Sequence, residues 1–327
     1  MSLLARYAED LFWLARYLER ASSLARIIET HMAYDRARDE DVSWAWLVAL
    51  HSDQERFEAS YDDSSFANVI NFYVADMHNP GSARFALRAA RENARALRAI
   101  IPTEMWIQLN EYHNRMLVMS EADLDPIRLS RTCAQIKYGC YAQLGVVEST
   151  LYRDEGWRFF RLGLAIERAD QTSRLLDVKF AQLATESEQA DRIADATFWS
   201  LVLRSAAAYQ AFHRFEQRGA DPNRVARFLL LNSSHPRSIA FCVGQIQAQL
   251  HELRAGYGLK GTAAAQEQAE ILLETLQDAG SHPRLSAHLH AVNDQLQRSL
   301  IKLTNNLGQV FFGYPEEKTQ SQSQSQA

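Results

Sequence analysis

Four charged residues stand out because they recur as a pair in matching surroundings. Glu19-Arg20 lies in Leu14-Ala15-Arg16-Tyr17-Leu18-Glu19-Arg20-Ala21, and Glu167-Arg168 lies 148 residues later in Leu162-Gly163-Leu164-Ala165-Ile166-Glu167-Arg168-Ala169. At that offset Phe12 falls on Phe160, Arg26 on Arg174 and Glu29 on Asp177. Charged side chains enter a protein interior rarely, and then in pairs. Neighbours on a helix point about 100° apart, so Glu19 cannot face Arg20. Packing of two copies about a pseudo-twofold axis predicts an exchange, Glu19 with Arg168 and Arg20 with Glu167. Such an exchange is either a buried ion-pair network that fixes helix register or a polar pocket for a zwitterionic or peptide ligand. Arg16, on the same helix, is counted with these four as a candidate.

A second charged feature is the series Arg84, Arg88, Arg91, Arg95 and Arg98, spaced 4, 3, 4, 3. That spacing lays five guanidinium groups along one helix face, with Glu92 relieving little of their repulsion. The corresponding residues of the second half are Ala240, Gly244, Gln247, His251 and Arg254, so the fold does not require the stripe. It is either a solvated face or a surface for an acidic partner, phosphate or carboxylate, with Arg91, Arg95 and Arg98 as the candidates. Other chemistry finds little support. No Glu has a His three residues later, and His282, His288 and His290 do not share a helix face, so no metal is expected. Phosphate-cradling and dinucleotide-binding glycine motifs are absent, as are the serine elbow and the zinc-protease helix; no cofactor is implied. The six tryptophans sit at helical spacing among Leu and Phe and suit a core.

Helices must position these residues. From Leu3 to about Arg36 apolar residues recur every three or four positions with no Pro or Gly, predicting one helix of roughly 30 residues. Asp39-Glu40-Asp41 is expected to open an aromatic helix through Trp44, Trp46, Phe57 and Tyr61. A short apolar helix follows, and Asn79-Pro80, Pro102-Thr103 and Asp125-Pro126 are expected to start three more. The second half repeats the series, with a long helix over about 154–184 and an aromatic helix from about Glu188 through Phe215. At offset 156, Val69, Phe72, Pro80, Ser82 and Phe85 fall on Val225, Phe228, Pro236, Ser238 and Phe241. The expected fold is all-α: two tandem, pseudo-twofold-related copies of an about six-helix unit, 1–152 and 153–314, forming one bundle. Residues 315–327, with their Ser-Gln alternation, are expected to be a disordered tail.

Composition narrows the class. With 13 Gly and 7 Pro in 327 residues the chain is poor in turn formers, and a net charge of −5 offers no field for nucleic acid or an anionic membrane. No N-terminal signal pattern and no apolar run long enough to span a bilayer is present. Three cysteines, with Cys133 and Cys140 about 10 Å apart along one helix face, suit a reducing compartment, so a soluble cytoplasmic protein is expected.

The segment Trp13 to Ala21, together with Asn79-Pro80-Gly81-Ser82, Ala90-Arg91-Glu92-Asn93-Ala94-Arg95, Thr103-Glu104-Met105-Trp106, Asp154-Glu155-Gly156-Trp157 and Glu167-Arg168-Ala169-Asp170, resembles the bacterial alpha-E family over nearly the whole chain. That resemblance implies an all-helical domain whose genes accompany a circularly permuted ATP-grasp ligase and a transglutaminase-like peptidase in peptide-tagging systems. The ATP-grasp part is absent here, so a stand-alone form is expected. The resulting expectation is a non-enzymatic helical partner or acceptor-presenting subunit for such a ligase. Two alternatives stay open: an enzyme acting on a peptide or amino acid through a buried Glu/Arg pocket, and an oligomeric helical scaffold. An enzyme predicts an enclosed polar cavity around the paired motifs; a partner predicts a dry ion-pair core and an exposed sticky surface.

Overall fold

The structure, a computed structural model, describes residues 3–38, 44–183, 192–216 and 219–315. Among the described residues every regular element is helical. The first half contains α1 (Ala5–Arg38), α2 (Ala45–His51), α3 (Gln54–Glu58), α4 (Phe66–Ile70), α5 (Ala83–Ala96), α6 (Thr103–Leu117) and α7 (Leu129–Thr150). The second contains α8 (Glu155–Leu183), α9 (Arg192–Ser205), α10 (Tyr209–Phe215), α11 (Pro222–Leu231), α12 (Ile239–Ala255), α13 (Ala263–Ser281) and α14 (Leu289–Leu307). Single π-turns, Asn71–Ala75 and Gly308–Phe312, extend α4 and α14.

α1 and α8 form the centre. Leu11, Leu14, Leu18, Leu24, Ile27 and Ile28 of α1 are all buried, as the spacing of three and four requires. α1 packs against α5, α7 and α8, while α8 packs against α12 and α14 as well as α1. The aromatic helices cross over: α2 lies against α8, and α9 against α1. One apolar core therefore runs through both halves, from Ala8 to Phe312. The approach of α8 to α1 is close enough that a Cβ on Gly163 would stand 2.2 Å from the Phe12 carbonyl oxygen. Only glycine fits there.

Several helix ends differ from the sequence expectation. The aromatic helix expected to run through Tyr61 breaks at Ser52 (φ 55), and its counterpart breaks at Ala207 (φ 53). Each break is closed by paired backbone bonds: Ser52 N–H to the Ala49 carbonyl with Asp53 N–H to Val48, and Ala207 N–H to Arg204 with Ala208 N–H to Leu203. This left-handed closure satisfies carbonyls at a helix end, and neither residue is the glycine that usually announces it. Each half consequently has seven α-helical segments among the described residues, where about six were expected.

Pro80 does not start a helix. α5 begins at Ala83, where the Ser82 hydroxyl accepts from Phe85 N–H at 3.1 Å, and Asn79 ties the preceding turn to the Phe72 carbonyl at 2.9 Å. The same turn recurs before α12, where the Ser238 hydroxyl accepts from Phe241 N–H at 3.3 Å. α7 begins at Leu129, three residues after Pro126, with Leu129 N–H on the Asp125 carbonyl at 2.9 Å. The expected helix opening at Asp39-Glu40-Asp41, the start near Glu188 and the tail from Glu316 lie outside the described residues. Among the described residues no helix is long and apolar enough to cross a membrane.

Candidate functional site

Both glutamates of the repeated pair face the α1–α8 seam and are 0% exposed. Arg168 Nε donates to Glu19 Oε2 at 3.0 Å, and Arg237 donates to Glu19 Oε1. Ser23, one turn along α1, adds its hydroxyl to Glu19 Oε1 at 3.1 Å. On the other side Arg20 grips Glu167 with two nitrogens, Nε to Oε1 at 2.7 Å and a terminal nitrogen to Oε2 at 3.1 Å. Arg16 Nε reaches Glu167 Oε2 at 2.7 Å, and Gln171, one turn along α8, reaches Oε1 at 3.3 Å. The exchange anticipated from the repeat is present, Glu19 with Arg168 and Arg20 with Glu167, and every link between a glutamate and an arginine joins the two halves.

Electrostatics follow from this packing. Burial alone would raise the Glu19 carboxyl; Arg237, then Arg168 and Arg26, overcome it and hold the group down at about 2. Burial also opposes ionisation of Glu167, and Arg20 and Arg16 overcome it, driving that carboxyl well below the usual range. All four carboxylate oxygens accept charge-assisted bonds. Both groups are anions at neutral pH with their lone pairs engaged, an arrangement suited to locking two helices in register.

Around the cluster a second pair of arginines bonds to helix ends across the seam. Arg26 Nε donates to the carbonyl of Ser205, the last residue of α9, at 2.7 Å. Arg174, its counterpart at offset 148, donates to the carbonyl of His51, the last residue of α2, at 3.3 Å. A cation at a helix C-terminus meets exposed carbonyls and the negative end of the dipole. Each long helix thus fixes the aromatic helix of the other half.

Residues 3–312 match the Alpha-E family, described as a predicted alpha-helical domain with a conserved ER motif, and the ER pairs Glu19-Arg20 and Glu167-Arg168 sit at the centre of the fold. The chain belongs to the Alpha-E family. Similar proteins include an uncharacterized protein of Mycobacterium bovis and two uncharacterized proteins of Mycobacterium tuberculosis, each 24% identical over 275 residues. The alignment covers 77% of this chain and 30% of each relative, so the chain spans less than a third of their length. No solved structure matches it.

In this Alpha-E chain four arginines of the stripe, Arg84, Arg88, Arg91 and Arg95, lie on α5, whereas Arg98 lies in the turn beyond its end rather than on the same helix face as expected, and none of the five bonds to Glu19 or Glu167. Glu92 pairs with both Arg91 at 2.6 Å and Arg95 at 2.7 Å, correcting the expectation that it relieves little of the repulsion. Arg91 also donates to Asn110 at 2.8 Å, and Arg91 and Arg98 lie over the Trp106 ring. Sequence reasoning missed Arg237, Ser23 and Gln171. Ser23 and Gln171 correspond at offset 148, four residues after each glutamate, but their types differ. Arg237 replaces Gly81 in the otherwise matching turns Pro80-Gly81-Ser82 and Pro236-Arg237-Ser238, and that departure is the signal for it. The cysteines at 133, 140 and 242 are free and buried, and burial first of all pushes each thiol up to about 12. Among the described residues no group of His, Cys, Asp and Glu is placed to hold a metal ion.

Proposed function

We propose that this Alpha-E chain is a non-catalytic helical partner of a circularly permuted ATP-grasp ligase of the peptide-tagging, amide-bond-forming kind. Its role is to dock that ligase or present its acceptor, with a transglutaminase-like peptidase as a further associate. The observation that carries this reading is a contrast between centre and edge. At the centre the paired glutamates are consumed by the protein's own arginines, and their lowered pKa values oppose service as general acid or base. At the edge large apolar side chains face solvent, Val118 at 81% and Ile127 at 89%, with Leu117 and Tyr138 also exposed.

Val118 and Tyr138 line a groove of about 650 Å³ between α6 and α7, which Arg115, Arg128 and Arg131 also border. Such a surface suits a partner presenting acidic and apolar groups together. The longer mycobacterial relatives, of which this region matches 30%, suit a unit that works beside others. A cytoplasmic location fits the three free cysteines. We also take the halves, 1–152 and 153–314, to be copies of one ancestral unit; the matching breaks at Ser52 and Ala207 and the matching caps at Ser82 and Ser238 support this.

The test is affinity purification of the tagged chain from the cell that encodes it, with identification of co-purifying proteins. An ATP-grasp ligase is expected, with its recovery reduced by Tyr138→Ala and Arg131→Glu. Recovery of the chain without the ligase overturns the proposal.

A further inference from the structure

A half-open cavity of about 440 Å³ lies between α5 and α6, away from the Glu-Arg cluster and sharing Met116 with the α6–α7 groove. Leu87, Met116 and Leu117 form its apolar side, and Arg84, Arg88 and His113 its polar side. His113 is 8% exposed, and neither ring nitrogen has a well-formed hydrogen bond, with the Asn114 side chain acting on the ring as a weak partner. Native proteins seldom leave a buried polar group unpaired, because its desolvation is then uncompensated. Burial lowers the His113 pKa; Asn114 and Glu92 act against the shift, and Arg91 and Arg88 add to it. The ring is therefore neutral at pH 7 and offers one N–H donor and one lone pair.

The arginines of the stripe divide at this cavity. Arg91 and Arg95 are held by Glu92, and Arg84 caps α6 by donating to the Leu117 carbonyl at 2.7 Å. Arg88, one turn beyond Arg84 on the same face, has no hydrogen bond or ion pair among the described residues and is exposed. A free guanidinium at the mouth, an imidazole without a well-formed partner inside and an apolar wall between them specify an amphipathic anion. Glu92 lines the same cavity and disfavours a second negative charge, so a carboxylate is preferred to a phosphate dianion.

We propose that this cavity binds an apolar organic carboxylate, either a free hydrophobic amino acid or the C-terminal residue of a peptide. Arg88 takes the carboxylate, Leu87 and Met116 receive the side chain, and His113 bonds the ligand's amide or amine. A ligand of amino-acid size suits the volume. The inference stands apart from the ligase-partner proposal, since the cavity can fill whether or not a ligase docks.

Isothermal titration calorimetry of the full chain with N-acetyl-leucine, leucine, N-acetyl-leucinamide and inorganic phosphate tests it. Saturable binding of at least one of the two acids is expected, with none for the amide or phosphate. Tighter binding of N-acetyl-leucine identifies a peptide terminus, and tighter binding of leucine a free amino acid. Arg88→Gln, an exposed change that leaves the core intact, is expected to weaken binding about tenfold or more. His113→Phe is expected to weaken it as well; should that variant fail to fold, Arg88→Gln alone decides. Absence of saturable binding by either acid, equal binding of acid and amide, saturable binding of phosphate, or an unaltered affinity in Arg88→Gln overturns the proposal.

Discussion

Replacing Glu19 by Gln leaves Arg168 and Arg237 facing a neutral group in a site sealed from water. Removal of one partner from a buried ion-pair network typically costs about 3–5 kcal/mol, and a loss of that size is expected in urea unfolding of Glu19→Gln. An unchanged midpoint would contradict the structural role given to the pair. The pH dependence carries the same signature. The folded-state value for Glu19, about 2, lies below the ordinary 4.5, so the folded protein favours the anion. Its contribution is complete above pH 4.5 and is lost as pH falls toward 2; Glu167 moves in the same direction. Circular dichroism is expected to show acid unfolding in that window, with a shallower dependence in Glu19→Gln. At this scale the sequence was legible where chemistry repeated. The crosswise pairing followed from two Glu-Arg dipeptides in matching frames. Arg237 did not, because it reaches Glu19 from 218 residues away and stands where the other half has glycine.

Among the elements, the contact of α1 with α8 depends most on a single position. A methyl group on Gly163 would press into the Phe12 carbonyl, which is part of a helix backbone and has no side-chain freedom to yield. Gly163→Ala is expected to lower stability by about 1–3 kcal/mol in denaturant unfolding, although alanine is the better helix former. Retention of full stability would mean that the two helices separate easily. The long helices were readable from composition and period, because α1 keeps its apolar stripe without Pro or Gly throughout. Helix ends were harder. Pro80 and Pro126 mark the approach to α5 and α7, yet the helices begin where Ser82 and the Asp125 carbonyl supply the first acceptors. The breaks at Ser52 and Ala207 were invisible because serine and alanine carry no left-handed preference; tertiary bonds from Arg174 and Arg26 to the adjacent helix ends hold them.

For the whole molecule, the continuity of the core has a direct readout. The three cysteines are buried with thiols raised to about 12, so few thiolates form and reagents have no path to them. Alkylation by iodoacetamide is expected to be slow in the native protein and to rise with global unfolding; rapid labelling of the folded chain would reveal local opening instead. The halves are also expected to depend on each other. Segments 1–152 and 153–314 made separately are expected to lack cooperative thermal unfolding, and mixing is expected to restore it. A sharp transition in either segment alone would show that it carries a sufficient core.

The reach of Arg237 back to Glu19 bears on how the chain is made. At ribosomal speeds of about 5–20 residues per second, the 218 residues between them take on the order of 10–40 s to emerge. During that interval α5, α7 and α8 emerge and can cover the apolar stripe of α1, but Glu19 still lacks one of its two arginines. The ion-pair centre is therefore completed only late in synthesis, after α1 and α8, the helices that carry it, have been made.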